Sequence, residues 1–231
     1  MGIHEDPALR DRAPVFRDRW DAGERLGQFL GGLPFLGDEP LACPIPAGGI
    51  PVGVAVARAL RCPLRPLIVR KAQIPGNPEA GFGAVTWDGR VFLNEELLGR
   101  LMLTPEQVEG AIRRTRANVR GRAERFSAAI PYPDPAGRTC IILDDGLASG
   151  YTMTAAVEAV RFFNPRMIIV AVPTGSLSSV ERVAHLVPEL VCLNVRGGYS
   201  FAVADAYEEW YDLTEEEALA LLQGVPGRER S

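Results

Sequence analysis

Three apolar runs constrain this chain most: Cys140-Ile141-Ile142-Leu143, Met167 to Val172 and Leu190 to Val195, the last broken only by Asn194. A strand with one wet face alternates apolar and polar side chains. A strand that is apolar at every position must be covered on both sides. Helix-length segments, about 151–163 and 178–186, separate the runs. That alternation predicts an α/β fold, a mostly parallel sheet with helices on both faces. The rhythm is also present earlier. Leu41 to Ile45 reads as a short strand, Gly48-Gly49 as a break, Pro51 to Leu60 as a helix and Leu67-Ile68-Val69 as a buried strand.

Other elements are readable from local signals. Phe16, Trp20, Leu26, Phe29 and Leu30 recur at helical spacing, which predicts an amphipathic helix over 16–30. Asp88-Gly89 sits between Phe82–Trp87 and Arg90–Leu93 and reads as a hairpin turn. Thr104-Pro105-Glu106-Gln107 carries an N-cap, a first-position proline and a capping-box glutamine for a helix reaching about Phe126. Pro131, Pro133 and Pro135 then force a loop. Thr214 and Glu217 cap a last helix through Leu222. The 231 residues read as a single domain. Residues 74–130 interrupt its rhythm, either as a hood or insertion over the carboxyl edge of the sheet or as an edge extension of that sheet.

Composition excludes several classes. The formal charge is −4, so no general basic field is present and a nucleic-acid partner is not expected. No apolar run approaches the ~18 residues of a membrane helix, and Met1-Gly2-Ile3-His4-Glu5-Asp6 is too polar for a secretory signal. A cytoplasmic setting without a membrane partner is the expectation. Cys43, Cys62, Cys140 and Cys192 form no Cys-x-x-Cys pair and read as reduced thiols. His4 and His185 are too few for a histidine-rich zinc site.

The chemistry concentrates where the first apolar run ends, in Asp144-Asp145-Gly146-Leu147-Ala148-Ser149-Gly150-Tyr151-Thr152. Ligands of open α/β sheets bind outside the carboxyl ends of the strands. Ser149, Gly150 and Thr152 offer hydroxyls and approachable N–H groups at a helix start, which suits a phosphate. Two acids beside an anion site are reconciled by a sugar phosphate. The amides hold the phosphate, the acids accept from sugar hydroxyls, and the acids can draw in Mg²⁺.

The run from Ile142 to Thr152 resembles the signature of the type I phosphoribosyltransferases, which bind phosphoribosyl pyrophosphate (PRPP). Phe16-Arg-Asp-Arg-Trp-Asp-Ala-Gly, Pro46-Ala-Gly-Gly-Ile-Pro-Val, Val69-Arg-Lys71 through Pro75-Gly-Asn-Pro-Glu79 and Gly83-Ala-Val are similar to bacterial and archaeal members with no assigned acceptor. The resemblance covers roughly 15–222. It implies a phosphoribosyltransferase that displaces pyrophosphate from PRPP with a small nitrogenous, nucleobase-like acceptor and Mg²⁺. By the same resemblance, Asp144 and Asp145 hold the ribose hydroxyls with Mg²⁺ nearby, and Ala148, Ser149, Gly150, Tyr151 and Thr152 wrap the 5′-phosphate. Ala47, Gly48 and Gly49 form the pyrophosphate loop, which in that family often carries a cis non-proline peptide. Lys71 reaches the pyrophosphate. A homodimer is usual for the family.

Two positions depart from the pattern. Ala47 stands where relatives place arginine, so one cation for the leaving group is missing. Ala148 stands where purine-salvage relatives carry aspartate, which argues against ordinary hypoxanthine or guanine salvage. These departures keep a second reading open, a PRPP- or nucleotide-binding sensor without turnover, and a third, hydrolysis of PRPP or a nucleotide.

Six arginines crowd thirteen residues: Arg113, Arg114, Arg116, Arg120, Arg122 and Arg125. They read either as a solvated helix face or as a cover for the pyrophosphate, with Arg120 and Arg122 flanking a Gly121 hinge. Asn77, Pro78 and Glu79 form a polar turn or line the acceptor pocket. Tyr199, Phe201, Trp210 and Tyr211 form a late aromatic cluster, read as packing of a C-terminal flap in preference to stacking on an acceptor base.

Overall fold

The computed structural model describes residues 2–129, 133–198 and 200–224, with the backbone alone for 77–80. Pro131, Tyr199 and the side chain of Glu79 lie outside the described residues. Five strands form one all-parallel sheet in the order β1 (Gly2–His4), β8 (Glu189–Arg196), β7 (Met167–Ser176), β6 (Thr139–Leu143), β2 (Pro40–Pro44). The continuous apolar runs are its central strands, as their composition demands.

Alternate residues of each strand face opposite cores. Ala42, Ile141, Leu143, Ile169, Ala171, Val191 and Leu193 pack beneath α1 (Arg19–Gly31), α2 (Gly49–Leu60) and α7 (Glu215–Gln223). Leu41, Cys43, Cys140, Ile142, Val170, Leu190 and Cys192 pack beneath α5 (Tyr151–Arg161) and α6 (Leu177–Ala184). The cysteines are thiols, three of them inside the second core.

Leu67-Ile68-Val69 is not a strand of this sheet. The chain from Pro63 to Leu67 does run beside β2, with Arg65 N donating to Ala42 O at 2.8 Å and Leu67 N to Pro44 O at 2.8 Å. Pro44 has no N–H to give to this segment in return, so only an isolated Ala42–Leu64 bridge forms and no regular strand. Val69 instead opens β3 (Val69–Ile74), which joins β4 (Asn77–Thr86) and β5 (Val91–Leu93) in a separate antiparallel sheet. The hairpin at Asp88-Gly89 forms, with a turn longer than the expected two residues: Gly89 N donates to Thr86 O at 2.8 Å, Thr86 N to Arg90 O at 3.1 Å, and Gly89 sits at φ +82°. Because this sheet shares no strand with the parallel one, the edge-extension alternative is corrected. With α3 (Glu95–Arg100) and α4 (Pro105–Ala129), the three strands fit a hood.

The caps follow the sequence signals. Thr104 N donates to Gln107 Oε1 at 2.8 Å and Gln107 N to Thr104 Oγ1 at 3.3 Å. Thr214 and Glu217 form the second capping box. Asp18 caps α1, accepting from Trp20 N and Asp21 N, so that helix begins after Phe16. Among the described residues no helix is long and apolar enough to cross a membrane.

Candidate active site

The carboxyl ends of β6 and β2 place two loops against each other. Leu143 hands the chain directly to Asp144 and Asp145, and Asp145 N donates to Asp144 Oδ1 at 2.9 Å. Beside them runs Pro46-Ala47-Gly48-Gly49, whose Pro46–Ala47 peptide is cis. Gly48 is required by proximity: a Cβ there would lie 2.1 Å from Asp145 Oδ2. Ile45 N donates to Leu143 O at 2.8 Å and stitches the loops at their root.

Burial raises the affinity of both acids for protons. Burial, then the charge of Asp145, pushes the Asp144 pKa well above the usual carboxylate range. Burial also raises that of Asp145, while Arg19 pulls it down. Arg19 Nε donates to Asp145 Oδ2 at 2.9 Å, and its side chain is only 7% exposed. Its Nη1 donates to Tyr211 O at 2.8 Å, and its guanidinium stacks 3.8 Å from the Trp210 ring centroid. Tyr207 Oη donates to Asp145 O at 2.5 Å. Trp210 and, 5.9 Å away, Tyr211 thus make the aromatic seat of this cation, with Tyr207 packed against Trp210. Sequence reading missed Arg19. The available signal was its phase: it falls on the buried stripe of α1 with Ala22, Leu26 and Leu30.

The small-residue loop leads into α5 through Gly150, at φ +75°, a conformation that favours glycine. No side chain caps this helix, so its first N–H groups point outward with the positive end of its dipole. The loop is braced from α6. Ser179 Oγ donates to Ala148 O, and Arg182 Nη1 donates to Ser149 O at 2.7 Å. Arg182 also lies over the Tyr151 ring, 5.6 Å from its centroid. This cation too was not foreseen.

A cleft of about 1350 Å³ joins these parts. Ala47, Lys71, Asp144, Ser149, Tyr151 and Thr152 line it, so it brings residues of all three expected subsites together. Asp145 and Gly48 stand behind them, locked to each other and to Arg19, and Gly49 closes on Asp144. Ala148 and Gly150 complete the loop backbone. The arginine helix divides by face. Arg114 and Arg122 line the cleft, whereas Arg120 is 82% exposed beside Glu124 and lines a separate surface groove with Thr86 and Gly89. Arg120 is therefore not brought to the cleft. Arg122 is bound to Glu215 at 2.9 Å, and Arg125 shares that carboxylate at 2.5 Å. Burial lowers the Arg122 pKa, Glu215 opposes this and the nearby charge of Arg70 adds to it.

Comparison with known proteins agrees with this geometry. The phosphoribosyl transferase domain family matches residues 37–206. A Mycobacterium tuberculosis protein provisionally named a phosphoribosyl transferase is 35% identical over 208 residues, 90% of this chain and 46% of its own length. The chain thus spans about half the length of the curated relatives it matches. The crystal structure of TT1426 from Thermus thermophilus is 35% identical, covers 92% of this chain and 100% of its own, and superposes with a TM-score of 0.79. The match covers most of the chain and runs through both loops of the cleft, so this chain belongs to the phosphoribosyl transferase domain family.

Proposed function

We propose that the protein is a Mg²⁺-dependent phosphoribosyltransferase that moves the phosphoribosyl group of PRPP to a small nitrogenous acceptor, with pyrophosphate leaving. The observation that carries this reading is the convergence of the Asp144 carboxylate, the uncapped start of α5 and the Pro46–Gly49 loop on one cleft. In this reading the N–H groups and hydroxyls of Ala148 to Thr152 bind the 5′-phosphate. The acids accept from the ribose hydroxyls, and Arg19 fixes the rotamer of Asp145. Lys71 and the backbone of Ala47 to Gly49 take the departing pyrophosphate.

The chain's donors suit the metal. Among the described residues no three His, Cys, Asp or Glu gather into a protein-only cage. Mg²⁺ keeps several waters and uses one or two carboxylates together with substrate phosphates, which two adjacent acids satisfy. When bound, it would neutralise negative charge building on the leaving group. The rest of the stabilisation falls to preorganised amides and cations in the cleft. The hood's role is to exclude water, which would otherwise take the phosphoribosyl group.

The test is pyrophosphate release from PRPP with Mg²⁺ across a panel of nitrogen heterocycles. Acceptor-dependent release supports transfer. Binding of PRPP without release under any acceptor supports the sensor reading, to which Ala47 lends its missing cation. Release that needs no acceptor marks a hydrolase.

A further inference from the structure

Among the described residues, the hood side of the cleft carries more positive charge than its carboxylates balance. Arg114, Thr115, Asn118 and Arg122 occupy one face of α4 and line the cleft, with Arg70 of β3 close enough to Arg122 to repel it. Residues 114 and 118 are neighbours at i,i+4 spacing, about 5–6 Å between Cβ atoms. Among the described residues, the side chains of Arg70, Arg114 and Asn118 make no hydrogen bond or ion pair. Among the described residues, the carboxylates lining the cleft are Asp144, Glu158 and Glu215. Glu215 is held by Arg122 and Arg125, and Glu158 by Arg161. Beside this polar face lie Leu93 and Leu97. The result is a wall with two unpaired guanidiniums and a free carboxamide, next to apolar surface. In an acidic protein such a wall is a recognition surface for an anion. The guanidinium fork matches a carboxylate in two parallel hydrogen bonds.

The chemistry of the reaction narrows this further. The acceptor nitrogen's lone pair forms the bond to the anomeric carbon while the carbon–oxygen bond to pyrophosphate breaks, and pyrophosphate leaves with that electron pair. A nitrogen that carries a proton must also lose it. Position 148 is alanine, and Glu158 and Glu215 are already committed to arginines. A ring nitrogen with a free lone pair and no proton avoids the need for a base. Its product is cationic at that nitrogen, and a carboxylate on the same ring balances the charge.

Resting on the phosphoribosyl-transfer reading above, we propose that the acceptor is a carboxylate-bearing nitrogen heterocycle, its carboxylate bound by Arg114 with Arg70 and its ring edge by Asn118. The same cations could instead serve the pyrophosphate, and the experiment separates the two.

Mg²⁺–PRPP is first titrated calorimetrically into the wild type, Arg114→Ala, Arg70→Ala and Arg113→Ala. Arg113 is a control, exposed and paired with Glu109. Pyrophosphate release is then measured with a pyridine monocarboxylate, a pyrimidine carboxylate, adenine and hypoxanthine. The expected result is turnover of a carboxylate and not of the neutral purines. Arg114→Ala should raise the KM for that carboxylate about 10- to 100-fold, the loss of a charge-assisted hydrogen bond. The Kd for Mg²⁺–PRPP should stay within about twofold, and Arg113→Ala should change neither value. Efficient use of a neutral purine, no use of any carboxylate by a protein that binds Mg²⁺–PRPP, or an arginine effect on PRPP rather than on the acceptor overturns the proposal. Failure of the wild type to bind Mg²⁺–PRPP instead defeats the underlying reading, in the first titration, before any acceptor is added.

Discussion

Replacing Arg19 by methionine tests how the acid pair is held. The substitution keeps an unbranched apolar stem against Trp210 but deletes the charge. It removes the 2.9 Å bond to Asp145 and the 2.8 Å bond to Tyr211 O, at a site only 7% exposed on the arginine side and 15% on the aspartate side. Breaking a buried pair from one side costs roughly 3–5 kcal/mol, because the other charge stays in the fold without compensation. Asp145 is not fully sealed, so we expect about 3 kcal/mol, the lower end of that range. For a domain of this size each kcal/mol moves Tm by about 2–4 °C, so Tm should fall by about 6–12 °C at pH 7.5. The loss should depend on pH in a defined direction. Arg19 lowers the proton affinity of both acids, so its removal raises their folded pKa further above the unfolded value. A group with a raised folded pKa binds more protons when folded. The folded variant therefore regains stability relative to wild type as pH falls through that raised value. Urea unfolding of both proteins at several pH values between 7.5 and 5 reads the gap directly, and adding Asp145→Asn to Arg19→Met should recover part of it. A variant as stable as wild type at pH 7.5, or a deficit that does not shrink on acidification, would refute the reasoning.

Other expectations follow from single contacts. Gly48→Ala puts a Cβ 2.1 Å from a carboxylate that Arg19 prevents from moving, so it should lower stability by about 2 kcal/mol and weaken PRPP binding in calorimetry. Gly121→Ala meets nothing within 4 Å in the middle of α4 and should raise stability by roughly 0.5–1 kcal/mol; an activity loss in that variant would mark Gly121 as a hinge. Arg182→Ala removes the cation bracing the Ser149 carbonyl and should raise the PRPP Kd about tenfold, with a weaker salt dependence of binding. Because the Asp144 pKa is raised, Mg²⁺–PRPP affinity should fall as pH drops toward that value, and binding should release protons, detectable as a buffer-dependent heat.

The parallel sheet was legible because burial on both faces removes polar residues from Cys140–Leu143, Met167–Val172 and Leu190–Leu193, and two-sided burial has few solutions. Leu67–Val69 misled for the same reason: those residues are buried, yet Pro44 of β2 has no N–H to complete a ladder with the segment before them, and the strand begins only at Val69. The three residues of β1 and the six of α3 are too short to show a period. The acid pair and the small loop were visible because consecutive sequence builds them. Arg19 and Arg182 were not, since each reaches the site from a helix distant in sequence. The two hood arginines could have been separated by phase. Arg122 follows the buried stripe of Val119 and Phe126 on α4, and Arg120 does not.

The most direct measurement of the central claim is a calorimetric titration of PRPP, with and without Mg²⁺, into the wild type and Asp144→Asn. The substitution keeps the Oδ1 acceptor of the Asp145 amide and removes a charge that opposes folding, so the variant should remain folded. The account predicts one PRPP per chain, bound in a Mg²⁺-dependent manner by the wild type and at least about tenfold more weakly by the variant. Equal affinity in the two proteins, or no binding by the wild type, would contradict it.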